Sequence, residues 1–350
     1  MSARRGTITI RTFVVQQSFP EPRPTTNPYL VMLRDSIART AGVEVRTFSW
    51  RNALLRRYDV FHVHWPEILV AGHSPLKALV RQALTVTLLI KLRLTKTPLV
   101  RTVHNLEIPQ GISRREKLLL GLVERQTTLR IRLNTSTAIP DGRAVVTILH
   151  GHYRDWFATY RKPEQVPRRL AYFGLIRRYK GVDRLLSAFR STAAADVTLR
   201  IGGKPSTEEL ARQLTELADG DDRIELTLEF LADAELVDIV SSAELVVLPY
   251  REMHNSGGVL TSLSLDRPVL VPSNEVTERL AMEVGDGWVW RYDGDLTPEL
   301  LLDTLERVQR GDRSERPDLS AREWADAGRA HLAAYRRARE IARRIAPVSG

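Results

Sequence analysis

The sequence predicts an α/β protein built from two doubly wound parallel sheets in tandem. Two series of short apolar strands alternate with helical segments, and a polar stretch at residues 161–169 separates the two series. Strands of a parallel sheet are covered by helices on both faces, so they form continuous apolar runs of this kind. A chain of 350 residues has room for two domains of ordinary size.

The first series of strands predicts an N-terminal domain over residues 1–160. Its strand-like apolar runs lie at 7–15, 43–48, 60–64, 99–104, 131–134 and 144–148. The segment that follows, 161–169, contains two prolines and no apolar periodicity, which is typical of a linker.

The second series predicts a domain over residues 170–320. Its strand-like runs lie at 170–173, 197–201, 224–228, 245–248, 269–271 and 287–290. The chain then ends in a helical segment, 321–350, which can pack back on the N-terminal domain.

The charge of the chain is unevenly distributed between its two halves. Residues 1–165 hold 26 Lys and Arg against 11 Asp and Glu, whereas residues 166–350 hold 26 against 31. A basic half indicates nucleic acid, an anionic membrane or an anionic substrate, and the arginine-rich composition of a GC-rich genome is the alternative explanation. The absence of cysteine excludes disulfides and favours a cytoplasmic protein, and the N-terminus lacks the pattern of a signal peptide.

The segment 75–94 is strongly apolar but carries four basic residues, so its uncharged part is too short to span a bilayer. One interpretation is a basic amphipathic helix that lies on a membrane. The other is a buried helix of the first domain with charged ends.

A phosphate-binding loop is predicted at the start of the second series. An apolar strand ends at Gly174, a basic turn with Arg177, Arg178 and Lys180 follows, and a helix begins after Gly181. A basic loop bounded by glycines and followed by a helix N-terminus favours an anionic phosphate.

This loop resembles the G-x-L-x-x-x-K-G-x-x-x-L element of GT-B glycosyltransferases, in particular the glycosyltransferase-4-like group. The resemblance implies two Rossmann-like domains that face a central cleft, and a lysine, here Lys180, that holds the diphosphate of a nucleotide-sugar. The family also has an arginine directly after the first glycine. Leu175 stands at that position, so Arg177 or Arg178 would substitute for it.

A second stretch, 246–272, resembles the same family through its LP and PV dipeptides. Between them, Asn255, Ser256, Gly257 and Gly258 are predicted to bind the donor, because amide groups before a helix can hold phosphate. A glycine-rich turn is the alternative.

Retaining members of the family usually carry two glutamates in this stretch. Met253 and Thr261 stand at those positions, which leaves retention or inversion of the sugar stereochemistry open. The departure suits the branch of bacterial exopolysaccharide and glycolipid transferases, which includes inverting enzymes.

The N-terminal half supplies candidates for catalysis. His64, Trp65 and Glu67 follow one strand, and His104 and Asn105 follow another. The resemblance implies that His104 contacts the donor sugar, and a histidine or carboxylate there could take the acceptor's proton. Trp65 and Asn105 are predicted to contact the acceptor. His62 is expected to point to the opposite face of the sheet, into the core.

Two further residues are predicted to line the cleft. His152 belongs to an H-x-x-Y element after the strand at 144–148; its spacing to His150 also suits a metal, but no carboxylate or cysteine set completes one. Asn27 precedes the first helix, in a loop that lies opposite the donor phosphates in GT-B proteins.

Together these features favour a glycosyltransferase that moves a sugar from a nucleotide-diphosphate sugar, such as a GDP- or UDP-sugar, to an acceptor hydroxyl. The expected acceptor is a lipid-linked saccharide or glycolipid of polysaccharide biosynthesis, reached at the inner face of the cell membrane, and no cofactor or metal is expected. A nucleotide-sugar epimerase of the same fold and a basic nucleic-acid-binding protein are the alternatives; the latter would need basic residues clustered with exposed aromatics.

Overall fold

The computed structural model describes residues 12–104, 111–140, 142–251, 253, 257–311 and 313–344. The chain forms two compact units, of which the first comprises Met1–Gly151 with Arg322–Gly350 and the second comprises His152–Ala321. Within the described residues each unit contains a six-stranded parallel sheet, so the predicted doubly wound α/β architecture is confirmed. The polar segment 161–169 lies within the second unit.

The first sheet has the strand order β2-β1-β3-β4-β5-β6. Its strands are β1 (Phe13–Gln17), β2 (Val43–Arg46), β3 (Val60–Val63), β4 (Leu99–Val103), β5 (Thr127–Arg132) and β6 (Val145–Thr147). The helices between them are α1 (Pro28–Ala38), α2 (Trp50–Leu55), α3 (Glu67–Val70), α4 (Pro75–Leu94) and α5 (Arg114–Gln126). Residues 7–11 of the predicted first strand lie outside the described residues.

The second sheet has the strand order β12-β11-β10-β7-β8-β9. Its strands are β7 (Arg169–Phe173), β8 (Thr198–Gly202), β9 (Ile224–Thr227), β10 (Leu245–Val247), β11 (Val269–Pro272) and β12 (Val289–Tyr292). Its helices are α6 (Arg154–Phe157), α7 (Val182–Arg190), α8 (Glu208–Ala218), α9 (Asp233–Ser242), α10 (Gly257–Ser264), α11 (Glu275–Val284) and α12 (Pro298–Arg310).

Burial along the strands follows their place in each sheet. Every residue of the central strands β3 and β10 is buried, whereas the edge strands β2 and β9 each expose a glutamate. Helices cover both faces of a parallel sheet, so its inner strands are apolar throughout and its edges tolerate polar side chains. The cores therefore lie between each sheet and its helices.

The last helix, α13 (Trp324–Arg344), packs against α1 and against strands of the first sheet. The two helices approach closely, because a Cβ atom at Gly328 would collide with the Ser36 carbonyl oxygen. Further along α13, Arg339 forms an ion pair of 2.9 Å with the buried Asp59. The C-terminal helix is thus part of the first unit.

Candidate functional site

Polar side chains at the ends of three adjacent strands of the first sheet contact one another. β1 ends at Gln17, His64 follows β3, and His104 follows β4. His64 Nδ1 lies 3.2 Å from His104 Nε2, and His64 Nε2 lies 3.2 Å from Gln17 Oε1. Gln17 was missed by the sequence reasoning, although the polar QQS that follows an apolar strand was a signal for it.

Aromatic rings surround His104. Trp65 stacks on it with ring centroids 4.0 Å apart and planes 17° from parallel, and Tyr29 meets it edge-on at 5.3 Å. Asn27 caps α1 by accepting a hydrogen bond of 3.0 Å from the Tyr29 amide. The structure therefore gives Asn27 a role in starting the helix that carries Tyr29. Asn105 lies outside the described residues.

His62 lies beside His64, with ring centroids 4.2 Å apart. The prediction that it points to the opposite face is wrong, because residues two apart in a strand share a face. The prediction that it is buried is confirmed, since none of its surface is exposed. Its Nδ1 lies 2.8 Å from the Tyr335 hydroxyl of α13, and its Nε2 lies 2.8 Å from the Thr102 hydroxyl.

Burial keeps five histidines of the first unit uncharged at neutral pH. It lowers the pKa of His64 to about 3, with His331 adding to the effect, and lowers the pKa values of His150 and His331 to about 4. Burial, reinforced by neighbouring histidines, also holds the pKa values of His62 and His104 well below 6.5. A neutral imidazole has one donor and one acceptor nitrogen, so each ring can donate one hydrogen bond and accept one.

The other two candidates from this half of the sequence are placed separately. Glu67 begins α3, and its Oε2 is buried without a hydrogen-bond partner in the described part of the chain. His152 is buried in the second unit, where its Nδ1 accepts a hydrogen bond of 3.2 Å from the Arg154 amide. Their roles in catalysis and acceptor binding stay predictions.

The predicted phosphate loop of the second unit follows β7. Gly174 and Gly181 adopt φ angles of 104° and 66°, which favour glycine. A side chain at Gly181 would collide with the Pro249 carbonyl oxygen, and one at Gly203 would collide with the Gly174 carbonyl oxygen. The loop is thus held between the segments that follow the two neighbouring strands, β8 and β10.

Lys180 is the half-buried cation of this loop. Its Nζ lies 4.8 Å from the centre of the Tyr250 ring, and α7 begins two residues later. Burial, with a smaller contribution from the positive charge of Arg177, lowers the pKa of Lys180 to about 8. A partly desolvated ammonium beside a helix N-terminus is suited to binding an anion, because the negative charge compensates for the hydration that the ammonium has lost.

The two arginines of the loop differ in their contacts. Arg177 is exposed, whereas Arg178 lies 3.4 Å from the Glu209 carboxylate of α8. Both side chains are exposed, and their roles in donor binding stay predictions.

The second predicted phosphate contact is described only in part. Gly257 and Gly258 begin α10 and are half-buried, whereas Asn255 and Ser256 lie outside the described residues. Met253 and Thr261 are buried, with 6% and 7% of their surfaces exposed. The positions at which retaining relatives carry glutamates therefore hold uncharged side chains that are shielded from water.

Comparisons with known proteins agree with this architecture. Residues 167–305 match the family model described as Glycosyl transferases group 1. Over 319 residues the chain is 46% identical to GDP-mannose:glycolipid 4-beta-D-mannosyltransferase from Xanthomonas campestris pv. campestris, which covers 91% of this chain and 90% of the relative.

Solved structures share the fold at low sequence identity. Anabaena HepE in complex with UDP and glucose has a TM-score of 0.58 and 16% identity, with 95% of this chain and 98% of that chain covered. The catalytic domain of Arabidopsis thaliana starch synthase IV, bound to ADP and acarbose, has a TM-score of 0.60 and 10% identity, with coverages of 94% and 100%.

The extent of these matches decides the family. The similarity to the Xanthomonas transferase spans both compact units, and the group 1 match lies in the unit that holds the predicted phosphate loop. The chain therefore belongs to the GT-B glycosyltransferases of the glycosyl transferases group 1 family, enzymes that move a sugar from a nucleotide-sugar to an acceptor hydroxyl.

Proposed function

We propose that this enzyme transfers mannose from GDP-mannose to a hydroxyl group of a glycolipid and forms a β-linkage. The observation that carries the proposal is the 46% identity, over nine tenths of both chains, to a GDP-mannose:glycolipid 4-beta-D-mannosyltransferase. The basic phosphate loop of the second unit supports a diphosphate donor, and the basic first unit supports an anionic surface on the acceptor side.

At the donor end, Lys180 and Arg177 would hold the diphosphate with the first amides of α7. The bond between the mannose C1 atom and the phosphate oxygen breaks with its electron pair left on the diphosphate, so negative charge grows there. Cations and helix N-termini placed beforehand at that oxygen stabilise the transition state. These groups would stabilise the negative charge that a metal ion stabilises in other enzymes, so we propose that the reaction requires no cofactor.

At the acceptor end, the reaction would proceed with inversion. The acceptor oxygen attacks C1 from the face opposite the diphosphate, while a base takes the hydroxyl proton. His104 is neutral and Glu67 lies on the helix that follows Trp65, so these two are the candidates for the base. The absence of carboxylates at Met253 and Thr261 fits a departure from the retaining pattern.

The proposal is tested by offering the purified protein GDP-mannose, GDP-glucose, UDP-glucose and dTDP-glucose with a detergent-solubilised glycolipid fraction. We expect release of GDP from GDP-mannose only in the presence of the acceptor, and an anomeric NMR signal of β-mannose in the product. Preference for another donor, or an α-linked product, would contradict it. Conversion of the nucleotide-sugar without acceptor would instead support an epimerase.

A glycolipid acceptor requires the enzyme to reach a membrane, and α4 provides a suitable surface. Its buried face contains Leu88, Leu89 and Leu92. Six further apolar side chains of this helix are exposed, namely Leu76, Leu79, Val80, Val86, Ile90 and Leu94. One face of the helix is therefore buried, and its exposed apolar side chains support the proposal that the other face lies on a membrane.

The charges around α4 favour an anionic bilayer. Residues 68–106 contain six Lys and Arg and no Asp or Glu. No helix in the described ranges is long and apolar enough to cross a membrane. An exposed apolar stripe beside basic side chains lies in the plane of an anionic interface. We propose that α4 places the first unit on the inner face of the cell membrane.

Replacing Leu79 and Ile90 together with aspartate is expected to reduce binding to vesicles of phosphatidylglycerol and phosphatidylethanolamine. Each side chain is about half exposed, and burying a leucine or isoleucine in the bilayer contributes about 1.5–3 kcal/mol, so the pair should change the partition coefficient at least tenfold. Vesicle co-sedimentation measures the effect. The matched control is Met282→Asp, which changes an exposed apolar residue of α11. Equal sedimentation of the wild-type enzyme and the double variant would contradict the proposal.

A further inference from the structure

We infer that His64 positions His104 for the transfer reaction, with Gln17 holding His64, and that His64 does not itself contact the sugar. The inference rests on the proposed function, in which His104 lies at the reacting sugar. It changes the role of His64 from a catalytic candidate to a positioning residue, and it adds Gln17 to the site.

The contacts of His64 leave its ring no nitrogen for a substrate. Nδ1 lies 3.2 Å from His104 Nε2, and Nε2 lies 3.2 Å from Gln17 Oε1. Only 2% of His64 is exposed, and its backbone amide donates a further hydrogen bond to the Ser18 hydroxyl. Both functional atoms of the ring are therefore committed to protein partners.

The direction of these two hydrogen bonds follows from the Gln17 side-chain oxygen, which is the acceptor at one end of the series. An amide oxygen only accepts, so His64 Nε2 donates to Gln17 Oε1. A neutral imidazole carries one N–H proton, so Nδ1 of His64 accepts, and the donor to it is Nε2 of His104. Nδ1 is then the unprotonated nitrogen of His104. One amide in β1 thus determines the tautomer of a ring that follows β4.

Gln17 itself is held in place. It is completely buried at the last position of β1, and it pairs with His62 of the neighbouring strand β3. Its amide oxygen lies 3.2 Å from His64 Nε2, and its buried amide nitrogen has no hydrogen-bond partner in the described part of the chain.

The tautomer matters for a sugar hydroxyl. In this tautomer Nδ1 of His104 is a hydrogen-bond acceptor, whereas in the opposite tautomer it would be a hydrogen-bond donor. Trp65 stacks on the same ring and restricts its tilt. His64 and Gln17 therefore determine whether Nδ1 of His104 is a hydrogen-bond donor or acceptor, and Trp65 restricts the orientation of the His104 ring.

The test measures the ¹⁵N chemical shifts of His104 in the whole protein labelled with ¹⁵N-histidine, together with the kinetics of mannose transfer. In Gln17→Met the shape of the side chain is kept but the acceptor is lost, so we expect His104 to lose its single Nε2–H tautomer. We also expect kcat to fall about 10- to 100-fold, with KM for GDP-mannose little changed. Gln17→Glu keeps an acceptor oxygen and should retain the tautomer and most of the activity.

Gln16→Met is the matched control. Gln16 is also completely buried, but it points to the other face of β1, where its amide donates to the Arg46 and Thr47 carbonyl oxygens. It should lower stability without changing the His104 signals. Nδ1–H tautomers in the wild-type protein, or unchanged His104 shifts in Gln17→Met, would overturn the inference. Absence of mannose transfer by the wild-type enzyme would refute the proposed function alone, because the NMR signals are read without substrate.

Discussion

Replacing Lys180 with alanine is expected to lower kcat for mannose transfer about 100- to 1000-fold, the usual effect of removing one group that stabilises charge in a transition state. Lys180 is a half-buried cation that follows a strand and directly precedes a helix N-terminus. Its positive charge is offset by no carboxylate in the contacts described for it, so the leaving diphosphate is the anion that it would stabilise. The rate is measured as the amount of GDP released over time, which is quantified by chromatography.

Two further variants separate the effect of position from that of net charge. Lys180→Arg keeps the cation but changes its shape, and it should retain part of the activity. Arg212→Ala removes one positive charge from an exposed position of α8 and should leave the rate unchanged. A rate for Lys180→Ala within a factor of three of wild type, with the protein folded as judged by circular dichroism, would show that Lys180 does not hold the diphosphate.

Lowering the pH from 7 to 5 is expected to unfold the first unit while the second remains folded. The buried histidines of the first unit have lowered pKa values, about 3 for His64 and about 4 for His150 and His331. In the unfolded chain they titrate near 6.5. Between these values the unfolded state binds more protons, so the stabilisation is complete above pH 6.5 and is lost as the pH falls.

The size of the effect follows from the same linkage. At pH 5 each of these three rings favours the unfolded chain by about 2 kcal/mol. The pH then lies about 1.5 units below the pKa of the unfolded chain, and each unit contributes about 1.4 kcal/mol. Three such contributions are comparable to the total stability of a typical domain, about 5–15 kcal/mol. His62 and His104 add to them in the same direction.

Calorimetry at pH 7, 6 and 5 should show one transition moving to lower temperature more steeply than the other. His331→Leu provides the control, because it removes one titrating ring that lies on α13. Its destabilisation relative to wild type should shrink by about 2 kcal/mol between pH 7 and pH 5. Equal pH dependence of the two transitions would contradict the prediction.

The sequence was sufficient to predict the α/β layers and the glycine-bounded basic turn between β7 and α7, whose phosphate-binding role stays a prediction. Apolar strand periodicity depends on local residue types, and the strand–glycine–basic turn–helix order around Gly174 and Lys180 is contiguous in the chain. The second phosphate contact was predicted by the same reasoning, but its residues Asn255 and Ser256 lie outside the described residues and stay predictions.

The histidine cluster could be predicted only in part, because its members come from distant parts of the sequence. His64 and His104 were recognisable as strand-end residues. Their contact depends on β3 and β4 being neighbours, and the contact to Gln17 depends on β1 lying on the other side of β3. Strand order is a long-range property that residue types near each strand do not determine. The error at His62 was of another kind, since the two-residue repeat of a strand already placed it beside His64.

The return of α13 to the first sheet has a consequence for how the protein is made. During synthesis the whole second unit leaves the ribosome before Tyr335 and Arg339, which complete the contacts of His62 and Asp59. Although domains generally fold in the order in which they are synthesised, here the first unit can complete its core only after the second has been translated. The contacts of His62 with Tyr335 and of Asp59 with Arg339 are therefore among the last that this chain can form during synthesis.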